Sequence, residues 1–316
     1  MLPKRLASAF LAFPLVAVAA DPISTVTLLE GEAAVVRGAT RYALVEGVRT
    51  QSGDIIEVAD RGLTQVEFAD GAALAMGAKT RLLIVSTLSG KPAHAEYYVI
   101  RGALKLTGVK QDARFRFSAP IFTVRPAEGD VVLVVGAGEG SVFVESGETR
   151  VTVGPSTVLL RGGDFYTRKD GRTGAVAPRP SKAFVASLPK LFFDPLPRRM
   201  ARYENRLVEP RRVAEVSYAA VEAWLKAPPA IRLPLVSRFE PRVSDPAFRA
   251  GLVKNLKYHP EWDPILNPPM KEQPTGPEAG NAGLAREPPP VSPREPEMGS
   301  PGVARSAAPV KPVALP

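Results

Sequence analysis

The sequence predicts a mainly β fold: a coiled or sandwiched sheet of many short strands, followed by a small α-helical module and a Pro-rich tail. Three observations carry that prediction. Runs of β-branched and aromatic residues recur from Thr25 to about Thr167, each closed by a Gly-containing corner. Apolar residues at helical spacing first appear beyond Gly174–Pro180. Past Asn267 there are 13 prolines in 50 residues and few aliphatics.

The N-terminus comes first. Lys4 and Arg5 precede an apolar run from Leu6 to Ala20, and Val18-Ala19-Ala20 offers small residues before Asp21. That run is shorter than the roughly 20 apolar residues a membrane helix needs. An export signal over 1–20, cleaved near Ala20, is therefore expected, with a periplasmic product that retains no membrane span. The chain contains no cysteine, which excludes a disulfide framework, a thiol nucleophile, a thiolate metal site and a lipidated anchor.

Residues 21–175 are expected to form the β domain. Gly53-Asp54 and Asp70-Gly71 are its sharpest corners. Between them Val66 and Phe68 alternate with Gln65 and Glu67, a period of two that puts apolar side chains on one face and polar ones on the other. Candidate strands are Thr25–Leu29, Ala33–Arg37, Ile55–Val58, Thr64–Phe68, Arg81–Val85, Tyr97–Ile100 and Leu104–Leu106. They continue with Phe115–Phe117, Phe122–Val124, Val131–Val135, Val142–Val144, Arg150–Val153, Val158–Leu160 and Phe165–Arg168. Turns are expected at Arg101-Gly102, Ser146-Gly147-Glu148, Gly162-Gly163 and Asp170-Gly171.

Residues 181–266 read as a small basic helical module. Val213, Val216, Ala220, Val221 and Trp224 make one face of a helix from Val213 to Lys226, which Pro228-Pro229 stops. Ser244-Asp245-Pro246 caps a second helix whose stripe is Phe248, Leu252, Val253 and Leu256. Shorter turns are expected at Lys182–Ser187 and from Ile231 or Pro234 to Phe239. The tail, 267–316, cannot recover its ordering entropy by burial and is expected to be disordered, a spacer or tether.

Charge is segregated. Residues 21–180 hold 19 basic and 18 acidic side chains, whereas 181–266 hold 15 and 9. The excess concentrates in Arg198, Arg199, Arg202, Arg206, Arg211 and Arg212, diluted by Glu204 and Glu209. On a helix Arg198, Arg202 and Arg206 would share one face. Guanidinium groups suit phosphate or carboxylate, so these six are the candidate partner-binding residues, for an anionic envelope polymer or an envelope protein. An exported chain is a poor nucleic-acid binder despite its charge.

Catalytic patterns are sparse. The two histidines, His94 and His259, have no second ligand at usable spacing, so neither a metal nor another cofactor is expected. Val135-Gly136-Ala137-Gly138-Glu139-Gly140 superficially resembles a dinucleotide loop, but the strand-like Ser141-Val142-Phe143-Val144 follows where a helix is required, which reads as a hairpin. There is no Gly-x-Ser-x-Gly elbow. Asp54 and Asp70 are the pair that a glycan hydrolase could in principle use, yet Asp beside Gly ordinarily holds a turn by accepting backbone N–H bonds.

Four blocks carry a family resemblance. They are Leu44–Thr50 running into Gly53-Asp54-Ile55-Ile56; Thr64-Gln65-Val66-Glu67-Phe68-Ala69-Asp70-Gly71-Ala72-Ala73-Leu74; Arg101-Gly102-Ala103-Leu104-Lys105-Leu106; and Phe115–Val124. Over about residues 30–160 the chain resembles the FecR domain, a periplasmic β module. Glu128-Gly129-Asp130-Val131 stands where such domains usually carry Gly-Thr-x-Phe. The family's cytoplasmic anti-sigma segment and membrane helix have no counterpart here, so the resemblance implies the β module without a transmembrane relay. The function expected is a non-catalytic binding or sensing module that contacts another cell-envelope component through strand edges, loops such as Ser86–Ala95 and the arginines. The alternative is an envelope-acting hydrolase using carboxylates of the β domain.

Overall fold

A computed structural model describes residues 24–86, 94–111 and 114–268. The expected export signal, the tip of the Ser86–Ala95 loop and nearly all of the Pro-rich tail lie outside the described residues. Within them the chain is mainly β. The strands are β1 (Ser24–Glu30), β2 (Ala33–Arg37), β3 (Thr40–Ala43), β4 (Ile55–Val58), β5 (Leu63–Phe68), β6 (Ala73–Met76), β7 (Arg81–Ser86) and β8 (His94–Val109). There follow β9 (Arg114–Ser118), β10 (Thr123–Val135), β11 (Glu139–Val153), β12 (Ser156–Arg161), β13 (Phe165–Lys169), β14 (Ala175–Ala177) and β15 (Arg211–Glu215). The helices are α1 (Lys182–Ser187), α2 (Tyr218–Leu225), α3 (Pro229–Arg232), α4 (Pro234–Phe239), α5 (Pro246–Lys254) and α6 (Asp263–Leu266), with short 3₁₀ turns between them.

All fifteen strands join one mixed sheet. Its main path runs β14-β13-β11-β10-β9-β8-β7-β4-β2-β3-β15, and β8–β9 is the parallel pair. Because side chains alternate faces, each strand divides its residues between two environments. One face turns inward: Val35, Ile56, Val66, Leu74, Leu82, Tyr97, Leu104, Leu133, Val142 and Tyr166 meet in a single buried cluster, so the sheet wraps around its own core. Residues of opposite parity form two separate outer clusters, each closed by chain that follows β14.

Two expected turns are bends inside longer strands. At Gly102, β8 shifts register against β7 and passes from β7 to β6 and β10 as partners. Its φ of +127° suits glycine, and a Cβ there would lie 2.3 Å from Thr80 Oγ1. Ser146-Gly147-Glu148 lies within β11, where Gly147 faces Gly129 and a side chain on either would meet the other strand's backbone within 2.3 Å. Glycine marks a bulge as readily as a corner. Gly162-Gly163 and Asp170-Gly171 are true connections, and Val135–Gly140 closes the β10–β11 hairpin.

Residues 182–200 form a strap over one outer face. Phe184, Phe192 and Leu196 pack on Leu28, Leu63, Ala73, Ala75, Val132 and Phe165. The alternation of Gln65 and Glu67 therefore does not mark a solvated face. Gln65 Nε2 donates to Pro197 O at 2.6 Å, and the Glu67 carboxylate accepts from the backbone N–H groups of Arg199 at 2.7 Å and Met200 at 3.2 Å. Lys105, also buried, pairs with Glu145 at 2.9 Å and donates to Phe192 O at 2.5 Å.

The second outer face is a row of register partners, Val36–Ile55–Leu83–Tyr98, crossing β2, β4, β7 and β8. Trp224, Leu235, Phe239, Phe248, Leu252 and Trp262 cover it, so the helices and the sheet share a core. Arg238 on α4 fastens them polarly, donating to the carbonyls of Val36, Gly38 and Gly53. Burial lowers its pKa to about 10, which leaves it cationic at neutral pH. Asp245 caps α5 by accepting from Ala247 and Phe248 N–H, as the sequence anticipates.

The helix predicted from Val213 begins later. Arg211–Glu215 is the edge strand β15, antiparallel to β3 and bulged at Val213, and α2 starts after the Ser217 cap. All five residues of β15 are exposed, so no apolar alternation announces it.

Candidate functional site

The six candidate arginines do not form one helical face. Arg198 and Arg199 lie outside any helix, Arg199 immediately ahead of a single 3₁₀ turn, Met200–Arg202, and Arg206 closes the turn that follows. Arg198 donates to Gly71 O at 2.6 Å and Thr107 Oγ1 at 3.2 Å, and Arg199 lies 3.9 Å from Glu46, so both hold the strap to the sheet. Arg212 pairs with Glu215. Arg202, Arg206 and Arg211 are exposed and make no side-chain hydrogen bond or ion pair among the described residues.

Arg211 is the member that the fold places beside other cations. Register partners across six strands run Arg211 (β15), Ala43 (β3), Ala34 (β2), Glu57 (β4), Arg81 (β7) and Arg101 (β8). This row is parallel to the apolar Val36–Tyr98 row and two residues from it on the same outer face. The helices cover the apolar row, and the charged row lines a groove of about 590 Å³ beside them, with Arg101 and Arg211 exposed at its ends and Ala34, Glu57 and Arg81 largely buried between. Ala34 and Ala43 make the middle of that groove shallow. The first turn of α2, with Ala219 and Ala220, forms one wall, and Gly31, Glu32 and Ala59 form the other.

The groove is cationic by composition. Arg41, Arg81, Arg101 and Arg211 face Glu32 and Glu57, a surplus of two positive charges. Glu57 accepts from Arg81 at 2.6 Å and lies 3.6 Å from Arg41, while Arg81 also donates to Ala220 O. Arg81 and Arg41 are thus held in place, and Arg101 and Arg211 carry no partner among the described residues. A second cavity of similar volume beside α1 has a smaller surplus of one positive charge, and both of its cations are engaged: Lys169 lies 3.6 Å from Glu139, and Arg168 donates to Ile121 O and Arg172 O.

The carboxylates considered for hydrolysis are engaged elsewhere. Asp54 is buried, accepting from Arg37 Nε and Nη2 at 3.0 and 2.8 Å and from Gln51 N–H at 2.9 Å. The hydrogen bond to Asp54 raises the Arg37 pKa further. Asp70 Oδ1 accepts from Ala72 N–H at 2.9 Å. Both hold their corners. Among the described residues no three His, Asp or Glu side chains are grouped to hold a metal, and no helix is long and apolar enough to cross a membrane.

Arg41, Arg81 and Arg101 escape sequence reasoning because they are isolated in the chain: Arg81 and Arg101 meet through strand register, and Arg41 joins them through Glu57. No family model matches the chain, and no curated protein matches it. Two solved structures of a "putative anti-sigma factor" from Parabacteroides distasonis, at 1.65 and 2.50 Å resolution, are similar to it with a TM-score of 0.37 and 14% identity. The similarity covers 42% of this chain and 63% and 62% of those chains, so it spans less than two thirds of their length.

Proposed function

We propose that the chain is a non-catalytic, FecR-like binding and sensing module of the periplasm that contacts another component of the cell envelope through the arginine groove. The observation that carries this reading is the groove-lining row from Arg211 to Arg101, with an exposed and unpaired guanidinium group at each end. The export-type N-terminus and the four FecR-like sequence blocks support the compartment and the family. The engagement of Asp54 and Asp70 by their own corners favours binding over hydrolysis.

Site-specific photo-crosslinking in a Gram-negative host tests it. A crosslinking side chain at Val213, on the groove rim, is expected to yield a discrete adduct in the periplasmic fraction, and one at exposed Leu159 on β12 is not. Retention of the chain in the cytoplasm, or equal adducts from both positions, would overturn the proposal.

A further inference from the structure

Resting on that reading and deepening it, we infer that the groove takes an extended acidic peptide segment of a partner protein, with carboxylates at two separated points. The argument begins with spacing. Arg211 and Arg101 stand at the ends of one transverse row, five strand-to-strand steps apart. At 4.7–4.9 Å per step that is about 24 Å along the floor. An extended peptide covers roughly 3.3 Å per residue, so about seven residues span it. One small anion cannot reach both cations.

The chemistry between the ends is that of a peptide. Glu57 sits mid-row with its charge matched by Arg81 and Arg41, and Glu32 on the wall has no partner among the described residues. Carboxylates within a cationic groove call for a ligand that brings hydrogen-bond donors as well as anions, which backbone N–H groups supply. Ala43 and the nearly buried Ala34 put no bulky side chain between the two ends, which leaves room for a main chain. No aromatic ring lines the groove, so a sugar ring has no platform to stack on. The open, shallow floor offers no channel for acyl chains.

Fluorescence anisotropy with the purified chain tests this. The probe is a ten-residue peptide with two Glu at each end and six Gly/Ser residues between them. At low salt it is expected to bind about tenfold more tightly than the Gln-for-Glu peptide and than a compact four-Glu peptide. Arg101→Gln and Arg211→Gln should each weaken it several-fold, the double variant should abolish specific binding, and Arg202→Gln with Arg206→Gln should leave it unchanged. Equal binding of spaced and compact peptides, or an unaffected double variant, would overturn the inference. So would tighter binding of polygalacturonate or phosphatidylglycerol vesicles through the same two arginines. If these peptide results fail while the Val213 adduct persists, the ligand class is wrong and the site stands; loss of both removes the site.

Discussion

The two outer faces of the sheet are covered by opposite means. Over β2, β4, β7 and β8 the cover is helical and apolar: Trp224, Phe239, Phe248 and Trp262, all at or below 1% exposure, sit on or near Val36, Ile55, Leu83 and Tyr98. Over β5, β6 and β10 the cover is an irregular strap, held by Phe184 and Phe192 but also by the buried polar groups Gln65, Glu67 and Lys105. Apolar burial gives net stabilisation in proportion to area, roughly 25 cal/mol per Å². A satisfied buried polar group gives little net gain and penalises every other arrangement. The helical face thus supplies stability, and the strap face supplies position.

The largest expected effect lies on the helical face. Trp224→Ala should cost about 3–5 kcal/mol, because a large ring at 0% exposure leaves a cavity between α2 and Tyr98. Urea unfolding measures it, and a loss below about 1 kcal/mol would show that the helices merely rest on the sheet.

Glu67→Ala tests the strap. It leaves the N–H groups of Arg199 and Met200 without their acceptor, at a cost of about 1–3 kcal/mol. The distinguishing readout is hydrogen exchange, which should accelerate in residues 190–200 while the amides of β8 and β10 keep their protection. Uniform acceleration across the sheet would mean that strap and sheet open as one.

The smallest effect is a pH dependence of the helical face. His259 is wholly buried, with Nε2 3.1 Å from the Tyr218 hydroxyl, and burial lowers its pKa below the ordinary 6.5. Glu261 opposes that shift, and Lys226 and Arg232 add to it. Between the depressed value and 6.5 the unfolded chain binds the extra proton, so this contribution is complete above pH 6.5 and declines as the pH falls through it. The fall in melting temperature from pH 7 to pH 5 should be smaller in His259→Gln than in the parent, and identical slopes would remove His259 from the account.

Much of the inner core is legible locally, because Val66-x-Phe68 or Leu82-x-Ile84 needs only a period of two. The outer faces are not. Gln65 and Glu67 carry the signature of a solvated face, and what buries them is a chain segment some 130 residues away. Arg101-Gly102 reads as a corner since a strand that changes partners needs the same glycine as a turn. Val213 fits the helical spacing of Val216, Ala220 and Trp224 by coincidence, while bulged and exposed β15 has no pattern of its own. For the site, clustering along the chain found Arg211 but ranked it with Arg198 and Arg199, which are internal ties. The other cations of its groove are far away in sequence: Arg81 and Arg101 share its register row, and Arg41 joins them through Glu57.

Placing both covers at the end of the chain has a bearing on biosynthesis. Strands β1 to β14 are made first, and the cover of Val36, Ile55, Leu83 and Tyr98 is not complete until Trp262 and Leu266 have been synthesised. A nascent sheet in that condition presents both bare apolar surface and open edges, the two hazards that drive aggregation. Contacts joining residues about 200 apart also close slowly. Termination before residue 266 would therefore be expected to leave a sticky half-product rather than a smaller working module, and a chaperone that shields sheets should matter most for this chain in that interval.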